Sequence, residues 1–472
     1  MPSPNAAPAT GKAGFYYDEA LDLAGLRAEY PTGAEYVQTV HRMPREQLRA
    51  LQQKRFLATM ARGWQVPFFQ RHWKKHGLEP GDIRTLDDLE RVPPYSVHDL
   101  RDAMGEQPPF ADYIGLDPEK DAPMPLVLQT SGGTTGLPRP MLYSPRDREV
   151  FALLGARASH LRGVKPFDLV QVTLSLGLAN GGMQAREGLW KYSGAIPVMT
   201  GSGAATPTRR QLEIMKEWRV SHLQGFPAYL RHMAQVAREE LGFDVRDLKL
   251  KSIFTHLGVD SREDLQDLWG TRVFDAYGTN ECGAVAVDCA ERSGMHVFED
   301  AFLLEVKDPD TMKEVRDGER GTMFVTALFK HLGPVIRFNT NDISAIVPGA
   351  CACGGTHRRL QRMFGRSDSM VKIRGVNVFP EAVGAVVCGH PGSNGEYVCI
   401  VELAGSDRRE HLIVKVEARA GTDRSALATD LTSRLKEALG LAVQVEAVEP
   451  KALDALTDVS TTTKAKRLID RR

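Results

Sequence analysis

From Leu126 onward, short β-rich runs alternate with helical segments and Gly/Pro breaks, and this alternation narrows the fold more than any other feature. Leu126–Leu128, Leu169–Leu174, Ile253–Phe254, Val273–Phe274 and Met323–Val325 read as strands; Thr208–Trp218, Ala228–Leu241 and Ser261–Trp269 read as helices. Strands separated by helices need crossovers, and crossovers build mostly parallel sheets flanked by helices, so the fold class expected is α/β. Upstream, Leu48, Leu51, Phe56, Met60, Trp64, Phe68, Phe69 and Trp73 keep a helical period and predict two amphipathic helices. Past Gly365 the texture changes again. Strands at Met370–Arg374, Tyr397–Glu402, Leu412–Val416 and Val443–Val448, with helices at Pro380–Val387 and Arg424–Leu439, predict a small α+β domain. Its length of about 100 residues is ordinary for a domain. The division expected is a flexible arm 1–14, a large domain 15–365 and a small C-terminal domain 366–472.

Bulk properties exclude several function classes. Sixty basic residues balance sixty acidic ones, so charge offers no reason to expect nucleic acid or an anionic membrane as partner. No run approaches the ~18 apolar residues of a membrane helix. The amino terminus MPSPNAAPATGKAG lacks the apolar core of a secretory signal. Six cysteines in 472 residues are too sparse for a disulfide scaffold, and a reducing cytoplasm is the expected compartment.

The most informative segment is LVLQTSGGTTGLPRP. A strand delivers Thr130, Ser131, Gly132, Gly133, Thr134, Thr135 and Gly136, all of them Gly, Ser or Thr. Glycines let backbone N–H groups converge and hydroxyls add neutral donors, a combination suited to phosphate oxygens; a plain surface turn has similar composition. Gly136 is followed by Leu137-Pro138-Arg139, not by Lys-Ser/Thr, so this is no Walker loop. The dinucleotide pattern GxGxxG is absent too.

The loop resembles the signature of the adenylate-forming superfamily, with an added glycine at Gly132-Gly133 and Arg139 in place of its lysine. Four further motifs of that superfamily follow in order. FDAYGTNECG supplies Asp275, Ala276, Tyr277, Gly278, Thr279 and Glu281, with Asn280 at a usual Thr/Ser position. The resemblance implies a tyrosine stacked on adenine and a glutamate, Glu281, helping to hold Mg²⁺; a carboxylate tolerates a triphosphate neighbour when a divalent cation lies between them. PVIRFNTNDISAI places Asp342 at the ribose-binding aspartate, and FGRSDSMVKIRGVNVFP places Arg366 at the ribose and Asp368 at the hinge, with Ser369 replacing a second aspartate. TTTKAKRLIDRR aligns Lys464 with the catalytic lysine, preceded by Thr463 where glycine is usual. The phenylacetate–CoA ligase branch is the nearest likeness, through Pro334–Arg337, Cys353–His357, Lys372–Pro380 and Ala465–Asp470. It implies a homodimer, joined through the early helices.

Cys289, His296, Cys351 and Cys353 are candidates for a closed Cys₃His zinc site. Enzymes of this branch carry a comparable set. The alternatives are reduced, partly buried cysteines, or Cys282 replacing one ligand. Cys388 and Cys399 read as core residues of the small domain, and the basic neighbours Arg358 and Arg359 suggest an exposed His357.

Taken together, the resemblance implies ATP-dependent activation of a carboxylic acid to an acyl-adenylate, then transfer to CoA, with the small domain rotating between the steps. ATP, Mg²⁺ and CoA are the cofactors expected. Gly258-Val259-Asp260 resembles the superfamily's adenine-side Gly-Ala-Glu turn, departing at the last two positions, and the resemblance implies that Gly258 lies at the adenine. For the acid pocket Phe226, Leu176, Ala179, Gly258 and Ala276 are nominated; an aromatic beside small residues suits a planar apolar acid, aromatic or arylacetic. Core packing is the competing role for Phe226. The rival functions are an adenylating enzyme with a carrier-protein or amine acceptor, and a nucleotide-binding protein without catalysis.

Overall fold

A computed structural model describes residues 17, 21–106, 110–117, 121, 123–130, 139–367, 371–373, 376–378, 380–404, 409–457 and 465–472. The expected arm 1–14, the loop residues Ser131–Gly136, the hinge Asp368 and Lys464 lie outside the described residues.

The chain opens with helices α1 (Leu23–Glu29), α2 (Gly33–Thr39), α3 (Arg45–Gly63), α4 (Pro67–Lys75) and α5 (Val97–Glu106). The predicted amphipathic pair is α3 and α4. Helix α3 buries Leu48, Gln52, Phe56, Thr59, Met60 and Gly63, a stripe at three- and four-residue spacing. Pro67 starts α4 at its first position, where a missing N–H costs nothing. Gly63 is needed where the two meet: a Cβ there would lie 2.4 Å from the Trp73 ring and 2.7 Å from Ile336.

A hairpin follows, β1 (Val127–Thr130) against β2 (Pro140–Tyr143), with Thr130 opposite Pro140. Helix α6 (Pro145–Leu161) begins at a capping box in which Ser144 and Asp147 satisfy each other's backbone donors. Then comes the predicted alternation: β3 (Leu169–Val172), α7 (Asn180–Tyr192), β4 (Ile196–Met199), α8 (Thr208–Glu217), β5 (His222–Gln224), α9 (Pro227–Glu240), β6 (Ser252–Phe254), α10 (Arg262–Trp269) and β7 (Arg272–Phe274). These strands pair in parallel in the order β4-β3-β5-β6-β7.

Beyond β7 the pairing turns antiparallel. Strands β8 (Ala276–Thr279), β9 (Gly283–Asp288) and β10 (Met295–Val297) build one sheet; β11 (Phe302–Lys307), β12 (Gly321–Ala327) and β13 (Phe338–Ser344) build another. Strand β14 (Arg359–Leu360) joins β10, and β15 (Gly365–Arg366) joins β13. The large unit is therefore mixed: parallel where helices intervene, antiparallel where they do not. Because β15 pairs with β13, the chain still belongs to the large unit's sheet at Arg366.

The small unit contains β16 (Val371–Ile373), β17 (Val376–Val378), α11 (Pro380–Cys388), β18 (Ser393–Ala404), β19 (Arg409–Ala418), α12 (Arg424–Leu439), β20 (Gln444–Val448), α13 (Asp454–Thr457) and β21 (Leu468–Asp470). Its sheet runs β20-β19-β18-β21. Helix α12 is capped by Asp423 and stopped by Gly440 at φ +65°, and packs Leu427, Leu431 and Leu435 onto that sheet. The small unit's core is separate from the large one, which gathers Phe56, Trp73, Tyr277, Phe302 and Ile336. Each such fully buried side chain contributes about 1.5–3 kcal/mol.

Candidate active site and cysteine cluster

The order of the parallel sheet fixes where a ligand fits. Strand β3 connects outward to β4, the chain returns to β5 on the other side, and the crevice between diverging connections opens beyond the carboxyl ends of β3 and β5. Leu176 and Ala179 leave β3 at that edge, Phe226 leaves β5, Gly258 follows β6, and Ala276 follows β7. All five are only partly buried. Ala179 bridges to Thr130, whose N–H donates to the Leu178 carbonyl at 2.8 Å, so the strand leading into the Gly/Ser/Thr loop ends on the rim of this crevice.

Beside it, Asp275 accepts backbone hydrogen bonds from Leu257 and Ala276, both 2.8 Å. Burial pushes its carboxyl up, although the His256 imidazole and the Leu257 amide pull the other way. This tie fixes the turn carrying Gly258, whose φ of +61° favours glycine. Tyr277 is 1% exposed and its hydroxyl donates to Asp342 Oδ2 at 2.8 Å. Arg366 Nη1 donates to Asp342 Oδ1 at 2.9 Å, the two residues standing opposite each other on β13 and β15. One carboxylate thus collects two donors from separate motifs and, with about four lone-pair positions, retains acceptor capacity for a diol. Gly278 lies at a register shift between β8 and β9, where a Cβ would fall 2.3 Å from the Gly283 carbonyl oxygen. Thr279 Oγ1 accepts from the Cys282 N–H at 3.2 Å and closes the turn.

That turn presents Glu281, paired with Arg139 from the far end of the Gly/Ser/Thr loop in a largely buried ion pair. Burial works to raise the Glu281 carboxyl, yet the Arg139 guanidinium and local hydrogen bonds win and hold it below the usual carboxylate range. Asn280 immediately before it is anchored, its carbonyl accepting from the Tyr143 hydroxyl at 2.7 Å and from Asn180 Nδ2 at 3.4 Å. Arg148 donates to Asn180 at 2.7 Å and Gln129 at 3.2 Å, joining β1, α6 and α7.

Lys330 lines a cavity of about 20 Å³ together with Arg139 and Glu281, room for roughly one water. It is 4% exposed and lies 5.1 Å from the Tyr143 ring centroid. Burial lowers its ammonium, against the pull of Asp147, Cys282 and Glu281. Sequence reasoning missed Lys330, Tyr143, Asn180 and Arg148. The only signal available was a lone lysine in the apolar run preceding Pro334–Arg337.

The four metal candidates converge because β10 lies between β9 and β14. Cys289, His296, Cys351 and Cys353 bring their ligand atoms within 4.8 Å of one another. Cys289 Sγ and Cys351 Sγ stand 3.8 Å apart, and Cys353 Sγ lies 3.4 Å from His296 Nε2. A tetrahedron with metal–sulfur bonds of ~2.3 Å and metal–nitrogen bonds of ~2.0 Å has edges of about 3.8 Å and about 3.5 Å. The residues fit zinc, and the sulfurs are too far apart for a disulfide. His41, also unforeseen, sits behind them with Nε2 3.5 Å from Cys353 Sγ. Burial, reinforced by His296, brings the His41 imidazole down to about 4, so it stands neutral at physiological pH.

His357 corrects an expectation. Its basic neighbours pointed outward, but the ring is 3% exposed and lies between the Val297 and Val40 carbonyls at 2.9 and 3.1 Å. Arg358 turns aside to pair with Glu299, so charged neighbours did not imply an exposed histidine. Cys282 is fully buried outside the four-residue group, its thiol pushed up to about 12 by burial and by Glu281. Cys399 is a core residue of the small unit, whereas Cys388 lies at the junction with the large one.

A switch-point crevice, a carboxylate set for a diol, an ionised glutamate paired with the arginine that follows the Gly/Ser/Thr run in the sequence, and a separate small domain together define a nucleotide-using ligase of the adenylate-forming class. Family models agree: one described as AMP-binding enzyme matches residues 72–327 and one described as AMP-binding enzyme C-terminal domain matches 375–472, and the chain belongs to that family. It is 30% identical to a phenylacetate–coenzyme A ligase of Aromatoleum evansii over 453 residues, covering 92% of this chain and 97% of that one. A 2-hydroxyisobutyryl-CoA ligase in the postadenylation state with 2-HIB-AMP superposes with a TM-score of 0.81 at 28% identity, covering 92% and 91% of the two chains. The same ligase with 2-HIB-AMP and CoA in the thioesterification state superposes at 0.67, with 28% identity and 91% of each chain covered. The chain is an AMP-forming acid–thiol ligase whose reaction proceeds through an ATP-dependent acyl-adenylate. Among the described residues, no helix is long and apolar enough to cross a membrane.

Proposed function

We propose that the acid is aromatic or arylacetic and that the acceptor thiol is CoA. The observation supporting this is that Leu176 and Ala179 follow β3, Phe226 follows β5 and Ala276 follows β7, apolar residues at the carboxyl ends of strands in one parallel sheet, with Ala276 adjoining Tyr277 of the Tyr277–Asp342–Arg366 set. The kinship with a phenylacetate–coenzyme A ligase points the same way.

In this reading Asp342 and Arg366 hold the ribose, and Asp275, Gly258, Tyr277, Gly278 and Thr279 shape the adenine seat. The loop Ser131–Gly136 receives the phosphates. Mg²⁺, a hard cation suited to the ionised carboxylate of Glu281, would shield the charge between two reacting anions. Attack of the substrate carboxylate on the α-phosphorus breaks the bond to pyrophosphate, and Lys464 supplies a cation to that step. Rotation about Asp368, at the junction of large and small domains, then admits the thiol. Cys289, His296, Cys351 and Cys353 hold a structural zinc ion. A cytoplasmic homodimer completes the proposal.

A panel of aryl and arylacetic acids, scored for ATP-to-AMP conversion with and without CoA and with products identified by mass, tests it. Acyl-CoA formed from an arylacetic acid is the expected result. AMP release that ignores CoA would indicate a carrier protein or amine as acceptor, and preference for small hydroxy acids would overturn the aromatic pocket.

A further inference from the structure

The two units meet at a polar contact that the motifs do not include. On the large unit, Arg231 of α9 pairs with Asp260, which closes the Gly258 turn, at 2.5 Å. On the small unit, Cys388 at the end of α11 approaches Asp260 Oδ1 at 3.9 Å and also faces the Gly395 carbonyl. Gly395 lies directly on the Arg231 side chain: a Cβ there would be 3.4 Å from Arg231 Cδ, and its φ of +95° already favours glycine. Neighbouring Glu396 binds Arg467 through two hydrogen bonds of 2.9 and 3.2 Å, and Arg467 also donates to the Tyr397 carbonyl at 2.8 Å. Arg467 stands three residues after Lys464. A short path therefore runs from the Gly258 turn through Asp260, Arg231, Gly395 and Glu396 to the segment carrying the lysine.

We infer that the Arg231–Asp260 pair is the docking platform that holds the small domain, and with it the Lys464 segment, in the arrangement that forms the adenylate. The inference rests on the proposed role of Lys464. It agrees with the closer superposition on the postadenylation state than on the thioesterification state of the related ligase. Several properties suit a reversible platform. Both side chains are partly exposed, 18% and 24%, so the pair stays solvated when the small domain leaves. The pair is internal to the large unit, so undocking strands no buried charge. The small unit contributes a glycine, a thiol and, through charge alone, the Glu396 carboxylate, which keeps its own partner Arg467 when the domains part. Arg231 and Asp260 are positioning residues, since neither needs to touch substrate.

Separating the half-reactions tests this. In Arg231→Met and Asp260→Asn, acid-dependent ATP–pyrophosphate exchange should fall at least about tenfold, the worth of one charge-assisted hydrogen bond. Thioester formation from supplied acyl-adenylate and CoA should be unchanged in Arg231→Met, whose residue lies on α9 outside the adenine-side turn, and Arg231→Lys should recover part of the exchange. Parallel losses in both half-reactions of Arg231→Met, or none in either, overturn the inference. Hydrogen–deuterium exchange of residues 231–233 and 393–399 reads the docking without catalysis: protection in the wild type should drop at both segments in each variant, and unchanged protection would equally refute it. A wild type inactive toward every acid would instead count against the proposed function, leaving the exchange measurement to judge the platform.

Discussion

Replacing Arg139 with methionine leaves the Glu281 carboxylate in place without its guanidinium, and the structure gives both the size and the pH dependence of the effect. The two side chains are 5% and 13% exposed, so solvent screens the pair little. Removing one partner of such a buried pair costs about 3–5 kcal/mol, and the nearby Lys330 places this case toward the lower end. In the wild type the Glu281 carboxyl is depressed. Its contribution is therefore present above the unfolded carboxylate value of about 4.3 and is lost as pH falls through the folded value. In the variant, burial is no longer outweighed and the folded value rises above the unfolded one. The ionised carboxylate then destabilises increasingly as pH climbs past that value. Urea unfolding of wild type and Arg139→Met, followed by fluorescence of the large unit, should differ by about 3 kcal/mol at pH 8 and by clearly less at pH 5. Adding Glu281→Gln to the variant should restore much of the loss at pH 8. An equal loss at both pH values, with no recovery in the double variant, would show that Arg139 acts through packing on Tyr113 and not through Glu281.

Asp342→Asn weakens both charge-assisted hydrogen bonds, from Tyr277 and Arg366; the KM for ATP should rise by roughly 10-fold or more while the large unit stays folded, since the carboxylate is partly exposed. Metal analysis of purified protein should find about one zinc per chain, and Cys351→Ser should lose it together with several degrees of thermal stability; a wild type without stoichiometric metal would leave the four side chains as a reduced cluster. Lys464→Ala should abolish pyrophosphate exchange yet retain thioester formation from supplied acyl-adenylate, and full exchange in that variant would remove the lysine from the mechanism.

What the sequence made legible was whatever one stretch of chain decides. The α/β alternation, the helices read at Ser261–Trp269 and Arg424–Leu439, and the paired helices α3 and α4 depend on residues a turn or two apart, and they stand where their patterns place them within a few residues. Asp342 and Arg366 belong to separate motifs, and their direct pairing across β13 and β15 was not foreseen from either. The switch to antiparallel pairing after β7 was hidden because a strand's local pattern does not state its partner. Lys330 escaped for a related reason: its neighbours Tyr143, Glu281 and Asp147 come from distant segments, so nothing local distinguishes it from a solvated lysine.

The substitution of Arg139 for the superfamily's lysine gains a physical meaning from that assembly. A lysine is a flexible point charge, whereas a guanidinium presents several donors in a rigid plane and is never deprotonated. Here that plane lies near the Tyr113 ring, 6.0 Å from its centroid, and grips Glu281, while Lys330, with its smaller ammonium, lines the same cavity. The loop's own cation is thus already engaged with the carboxylate assigned to the metal. Any triphosphate arriving with its divalent ion must share Glu281 with Arg139 or release it. A site built this way keeps Glu281 ionised before the nucleotide binds, so affinity for the metal–nucleotide complex should change less with pH in the wild type than in Arg139→Met. In the variant, affinity should weaken as pH falls, because protonation of the unpaired carboxyl then competes with the metal.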